Sequence, residues 1–178
     1  MTETKPAGER QKFEIFRRKD GRPYDQTGPM YMATISEATA EGWPKLVDAG
    51  YMRGNDLKLL YSAPGMSLTY VWFKSGIPLP RHSHNADCLY YIIAGSLRIG
   101  TEELGAGEGF FVGIDVPYAY VPGEQGVEVL EFRTSNHFEM RFLADNPAFW
   151  TKAAEQIRGR VSAWATEEKP SAAISQGL

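Results

Sequence analysis

From Asp56 to Thr134 the chain is cut by glycine and proline into short runs rich in β-branched and aromatic residues. Runs of this kind, spaced by hairpin-length turns with no helical period between them, bury their apolar faces by pairing antiparallel. Strands are expected near Leu57 to Ser62, Ser67 to Lys74, Leu89 to Ala94, Ser96 to Gly100, Gly109 to Val112, Ala119 to Val121 and Val127 to Thr134. Ala94-Gly95-Ser96 and Gly105 to Gly109 read as the turns. A doubly wound parallel sheet is excluded, because it needs a helix between successive strands. The fold class expected is all-β, a sandwich or barrel. No repeat of about 20 to 50 residues recurs, which leaves one such unit.

The flanks have a different texture. Met1 to Lys12 is polar and mixed in charge, without the apolar centre of a signal peptide, and no apolar run approaches a membrane span. A cytoplasmic protein is expected. Phe13 to Thr27 alternates charges with aromatics around the turn signal Asp20-Gly21-Arg22-Pro23, and reads as an arm or edge segment. Ser36 to Ala49 reads as a short helix interrupted at Gly42 and Pro44.

Asn146-Pro147 has the pattern of an N-cap followed by proline in the first turn. Trp150, Ala153, Ala154, Ile157, Val161 and Trp164 then recur at three- and four-residue steps, the stripe of a helix laid against the barrel. Gly159 weakens that helix by roughly 1 kcal/mol relative to alanine, so packing must hold it. The tail from Pro170 is expected to be disordered. The division that results is 1–55, an N-terminal arm with a short helix; 56–138, a β-barrel; and 139–178, a C-terminal α-helix and tail.

A chain of 178 residues has room for one main core. Nineteen basic residues against 22 acidic ones leave a net charge of −3, which provides no footprint for nucleic acid or an anionic membrane. A small-molecule ligand is the partner class that remains. The single cysteine, Cys88, rules out an intrachain disulfide. His82, His84 and His137 are the only histidines, so any imidazole chemistry rests on them.

In an extended chain, residues two apart share a face. His82 and His84 therefore converge on one point, and Ala86, Cys88, Tyr90 and Ile92 continue the same parity. The chain reads Gly76, five residues, His82-Ser83-His84, three residues, Cys88, six residues, Gly95. This resembles the first motif of the cupins, in which a glutamate stands at the position of Cys88. Gly107 to Tyr120 is similar to the second cupin motif: Pro117 matches, Tyr118 stands where a third histidine falls, and Gly113 replaces a proline. The resemblance covers Leu57 to Thr134. It implies a double-stranded β-helix, a jelly-roll-like barrel with a central pocket. It also implies that His82 and His84 are metal ligands, with Cys88 and Tyr118 at the two other ligand positions.

Three readings of this cluster stand open. In one, His82 and His84 bind a divalent transition metal with Cys88 thiolate or Tyr118 phenolate; such ligands favour Fe or Zn, with Cu, Ni or Mn behind them. In the second, His137 arrives from beyond the last strand as a third imidazole. In the third, no metal is bound and the histidines act as donors or as a general base in an aromatic pocket. Tyr90 and Tyr118 are the candidate catalytic groups that transfer a proton or orient substrate. Glu131 and Arg133 share a face of the last strand and are expected at solvent or an interface, because unpaired charges are rarely buried. The leading expectation is a small metal-dependent enzyme, a dioxygenase or lyase, acting on an apolar or aromatic molecule. The alternative is a metal-free, catalytically inactive barrel that binds or senses a small ligand. A homodimer formed through edge strands is expected in either case.

Overall fold

The structure, a computed structural model, describes residues 13–33 and 36–175. The readings of 1–12 and 176–178 concern residues outside that set. In chain order the regular elements are β1 (Arg22–Pro23), β2 (Met30–Met32), α1 (Glu37–Ala49), β3 (Asn55–Ala63), β4 (Met66–Phe73), β5 (His82–His84), β6 (Cys88–Ile99), β7 (Glu102–Gly105), β8 (Gly109–Val112), β9 (Val121–Arg133), β10 (Phe138–Phe142), α2 (Pro147–Arg160) and α3 (Pro170–Ser175).

The larger sheet runs β1-β3-β4-β9-β6-β7, with β8 also paired to β6, and a three-stranded sheet runs β2-β10-β5. Pairing is antiparallel throughout except between β2 and β10. A bridge joins the end of β5 to the second motif segment: His82 N donates to the Tyr118 carbonyl at 3.1 Å, and Tyr118 N to the His82 carbonyl at 3.0 Å. The architecture is the all-β barrel expected from the strand pattern, in the jelly-roll-like form that the resemblance to cupins implies.

Alternation along β6 sets which residues enter the barrel. Cys88, Tyr90 and Ile92 are buried while Leu89 and Tyr91 are exposed. They join Leu97, Val112, Tyr118, Tyr120, Val127 and Val129 in an interior cluster. A second cluster, built on Leu46, Phe142, Trp150, Ala154, Ile157 and Trp164, lies where the helices meet the barrel. Phe73 and Leu79 pack against both, so the two form one continuous apolar body.

Several local expectations need correction. Ala94-Gly95-Ser96 is no turn: β6 runs through it, with register shifts against β9 on either side. Gly95 sits at φ +74°, and a Cβ there would lie 2.2 Å from the Gly126 carbonyl oxygen, so the strand bulges where only glycine passes. Ala119 and Tyr120 lie outside the strand that begins at Val121. The short strands β2, β7 and β10 have no period of their own and exist through their pairing partners.

Helix α1 runs unbroken through Pro44, capped at its start by Ser36 and closed by Gly50 in the left-handed region. Gly42 is where Trp150 of α2 docks: a Cβ would lie 2.2 Å from its indole. Tertiary packing thus overrides two helix-breaking residues. In α2, Asn146 caps the helix by accepting from Ala148 N at 3.0 Å, and Trp150, Ala153, Ala154 and Ile157 are buried as the stripe requires.

The tail is also ordered through Ser175, as α3 lying against β6 and β9. Its anchor is Glu128, fully buried, which accepts from Ser171 N at 2.7 Å, from the Tyr70 hydroxyl, and from Arg18 Nη1 at 3.2 Å. One carboxylate ties the arm, the barrel wall and the tail together. Among the described residues no helix is long and apolar enough to cross a membrane.

Candidate functional site

Strand β5 is three residues long, and its pairing with β10 fixes both histidines, with Phe142 opposite His82 and Met140 opposite His84. Each imidazole is oriented by a backbone carbonyl: His82 Nδ1 lies 2.8 Å from Pro80 O, and His84 Nδ1 lies 2.9 Å from Glu139 O. A carbonyl only accepts, so Nδ1 carries the proton in both rings and Nε2 keeps its lone pair. Burial holds both rings neutral. It lowers the His82 pKa to about 4, and it lowers that of His84 to about 2 with help from the Arg133 charge.

The ring centroids of His82 and His84 are 5.0 Å apart, and Tyr118 stands 4.4 Å from His82 and 6.2 Å from His84. The Tyr118 hydroxyl is bonded to that of Tyr90. Burial pushes both phenols above their ordinary range, so both are hydrogen-bond donors at neutral pH. Tyr90 is itself locked, stacked on Phe110 at 4.4 Å.

Register between β6 and β9 places Cys88 opposite Arg133 and Tyr90 opposite Glu131. Arg133 and Glu131 are therefore inside, and the expectation that they face solvent or an interface is wrong. Arg133 is 3% exposed; its Nη2 donates to Glu131 Oε2 at 2.8 Å and to the Tyr90 hydroxyl at 3.2 Å. The Phe138 ring lies 4.4 Å from its guanidinium carbon. Mutual neutralisation is what permits two charges in the barrel. The signal was present in the sequence, since Val127, Val129, Glu131 and Arg133 share one parity.

Cys88 is buried in the same wall, and its thiol is pushed up to about 12 by burial, against the opposing pull of Arg133. It is a protonated thiol at physiological pH. Tyr24, on the N-terminal arm, is drawn in as well: burial and the charge of Glu131 raise its pKa. His137 is not brought to the cluster. It is exposed and stacks on Tyr31 at 4.8 Å, which removes it as a third imidazole.

A cavity of about 560 Å³ lies beside this cluster, and its wall includes His82, Tyr118, Tyr120, Glu131 and Arg133. Trp43, Phe73, Leu79, Met140 and Phe142 make its apolar surface. The volume is that of an ordinary small-molecule site.

The segments Gly76 to Gly95 and Gly107 to Tyr120 are thus joined at the His82–Tyr118 bridge, with His82, Tyr118 and Tyr120 on one cavity. The arrangement is the jelly-roll-like barrel that the resemblance to cupins implies. No family model matches the sequence, and no curated protein sequence is significantly similar to it. Solved structures that resemble the cupin barrel include KdgF from Halomonas sp., at 21% identity and TM-score 0.43 over 46% of this chain and 78% of that one. An RmlC-like cupin from Shewanella frigidimarina is 21% identical, with TM-score 0.42 over 46% of this chain and 76% of the other. The polyketide cyclase RemF from Streptomyces resistomycificus is 22% identical, with TM-score 0.48 over 58% of this chain and 84% of that one. Likeness at this level concerns the fold alone.

Cupins supply the expectation of a metal, and the donor set here does not fit one. His82 and His84 offer two neutral nitrogens, and Cys88 and Tyr118 stand where the resemblance to cupins implies a carboxylate and a third imidazole. Among the described residues no three His, Cys, Asp or Glu side chains gather as a metal site.

Proposed function

We propose that this cupin barrel is a proton-transfer enzyme, of the isomerase or lyase type, acting on a small apolar molecule in the cavity beside His82. The observation that carries the reading is one wall holding an oriented neutral imidazole and a paired-hydroxyl donor, His82 and Tyr118–Tyr90. His82 Nε2 takes a proton from a substrate carbon, and the C–H electron pair moves into the adjacent unsaturated group. Tyr118, supported by Tyr90, donates a hydrogen bond to the negative charge that develops there. The proton then returns from His82 to a second carbon, or is retained while a leaving group departs with its electron pair. A base with a pKa near 4 is adequate for such chemistry where neighbouring donors stabilise the intermediate. Of the two reaction classes expected from the sequence, lyase chemistry agrees with this donor set, whereas dioxygenase chemistry needs a metal the donors do not fit.

The test is hydrogen–deuterium exchange at the acidic carbon of β-tetralone in deuterated buffer, followed by NMR. Wild-type protein is expected to accelerate exchange above the buffer rate, and His82→Gln to remove the acceleration while unfolding at a similar temperature. Equal acceleration by wild type and His82→Gln would contradict the reading.

A further inference from the structure

In an antiparallel sheet with one face on the core, strands read apolar inward and polar outward. The end of β9 is reversed: Glu131 and Arg133 are buried inside the barrel, while Leu130 and Phe132 point away from it. The reversal extends across the sheet. Phe132 lies opposite Leu89 of β6 on one side and Leu68 of β4 on the other. Leu89 in turn lies opposite Phe111 of β8, and Leu68 opposite Tyr61 of β3. Phe16 of the N-terminal arm prolongs the row, its ring 6.0 Å from that of Tyr61. In the next row Tyr91 lies opposite Leu130. Side chains directly opposite across a ladder are about 4.5–5.5 Å apart, so these residues form one continuous strip. None of them is charged.

The chain covers the other end of the same face itself. Helix α3 lies against β6 and β9, Glu128 is fully buried where Ser171 N bonds it, and Arg18 lies over the Tyr70 ring. The cover stops there. Phe111, Leu89, Tyr91 and Phe132 remain 64, 53, 50 and 42% exposed. Since an aromatic side chain has about 150–250 Å² to bury, the strip leaves roughly 600–700 Å² of apolar surface open. That is above the roughly 300–600 Å² of the largest patch on a typical monomer. It approaches the roughly 800 Å² that each partner contributes to a stable pair, the rest of which comes from a polar rim.

The absence of charge decides the partner. A two-fold axis sets a surface against the same surface of a second copy, so a charged strip would repel itself and an uncharged apolar one is complementary to itself. We infer that two copies of this chain pair through the outer face of the larger sheet, centred on Leu89, Phe111 and Phe132, and not through the edge strands that the sequence suggests. The two sheets pack face to face, with the apolar rows interdigitating as in a sandwich core. This pairing does not depend on proton transfer at His82.

Sedimentation velocity of the full chain between about 1 and 100 μM tests it. Wild-type protein is expected to sediment at twice the chain mass with a Kd of about 1 μM or below. Leu89→Lys and Phe111→Lys each set like charges in the contact and are expected to weaken pairing at least about 100-fold. Val47→Lys, exposed on α1 away from the sheet, is expected to leave it unchanged. Hydroxyl-radical footprinting of the wild type needs no variant to fold: labelling of Tyr91, Phe111 and Phe132 is expected to fall several-fold from dilute to concentrated protein. A monomer at the highest concentration, an assembly larger than a dimer, a dimer that Leu89→Lys leaves intact, or labelling of these three residues that ignores concentration overturns the inference.

Discussion

Replacing Glu128 by leucine will loosen both ends of the chain at once. The carboxylate is 0% exposed and receives the Tyr70 hydroxyl, Ser171 N at 2.7 Å and Arg18 Nη1 at 3.2 Å. Hydrogen bonds to a charged group contribute about 1.5–3 kcal/mol each. Arg18 is 52% exposed, so its ion pair is screened and adds only about 0–1 kcal/mol. Tyr70 and Ser171 therefore carry most of the effect, about 3–6 kcal/mol before offsets. Leucine recovers part of it, because the buried carboxylate no longer has to be desolvated. A net loss of about 2–4 kcal/mol is expected, within the range known for breaking a buried polar network. Urea unfolding measures it, and limited trypsin digestion locates it, with faster cleavage both near Arg18 and near Lys169. Glu128→Gln, which keeps an acceptor oxygen, should lie between wild type and Glu128→Leu. Wild-type stability in Glu128→Leu, or loosening at one end only, would refute the reasoning.

Two further perturbations test the packing and the electrostatics. Gly42→Ala should destabilise the protein by about 1–3 kcal/mol through overpacking, despite alanine's better helix propensity, because the new Cβ would fall 2.2 Å from the Trp150 indole; an unchanged urea midpoint would contradict the close approach. Stability should be fully present above the ordinary histidine pKa of 6.5 and fall as the pH drops towards about 4 for His82 and about 2 for His84, since the unfolded chain binds protons that the folded rings refuse. Each histidine contributes a slope of about 1.4 kcal/mol per pH unit in its window, and urea midpoints compared at neutral and mildly acidic pH should flatten in His82→Gln and His84→Gln.

The parts of the fold with their own period were legible from residues alone. Cys88, Tyr90 and Ile92 alternate cleanly along β6, and the α2 stripe from Trp150 to Ile157 buries as its spacing requires. What escaped was decided by partners distant in sequence. Gly95 looks like a turn residue until Gly126 is seen pressed against it, and Pro44 looks like a helix stop until Trp150 is seated on Gly42. Strand β10 is held by β2 and β5, and nothing in Phe138 to Phe142 announces it. The same applies to the site. The convergence of His82, His84, Tyr90 and Tyr118 follows from parity and motif spacing, whereas the burial of Glu131 and Arg133 depends on each neutralising the other inside the barrel. His137 is the converse case, a scarce residue that packs on Tyr31 and takes no part.

The central question is whether the barrel's own side chains move the proton. Deuterium exchange into β-tetralone by protein stripped of metals with a strong chelator tests this most directly. Acceleration is expected to survive the chelator, to be unchanged when Fe or Zn is added back, and to disappear in His82→Gln. Acceleration that vanishes on chelation and returns with added metal would contradict it.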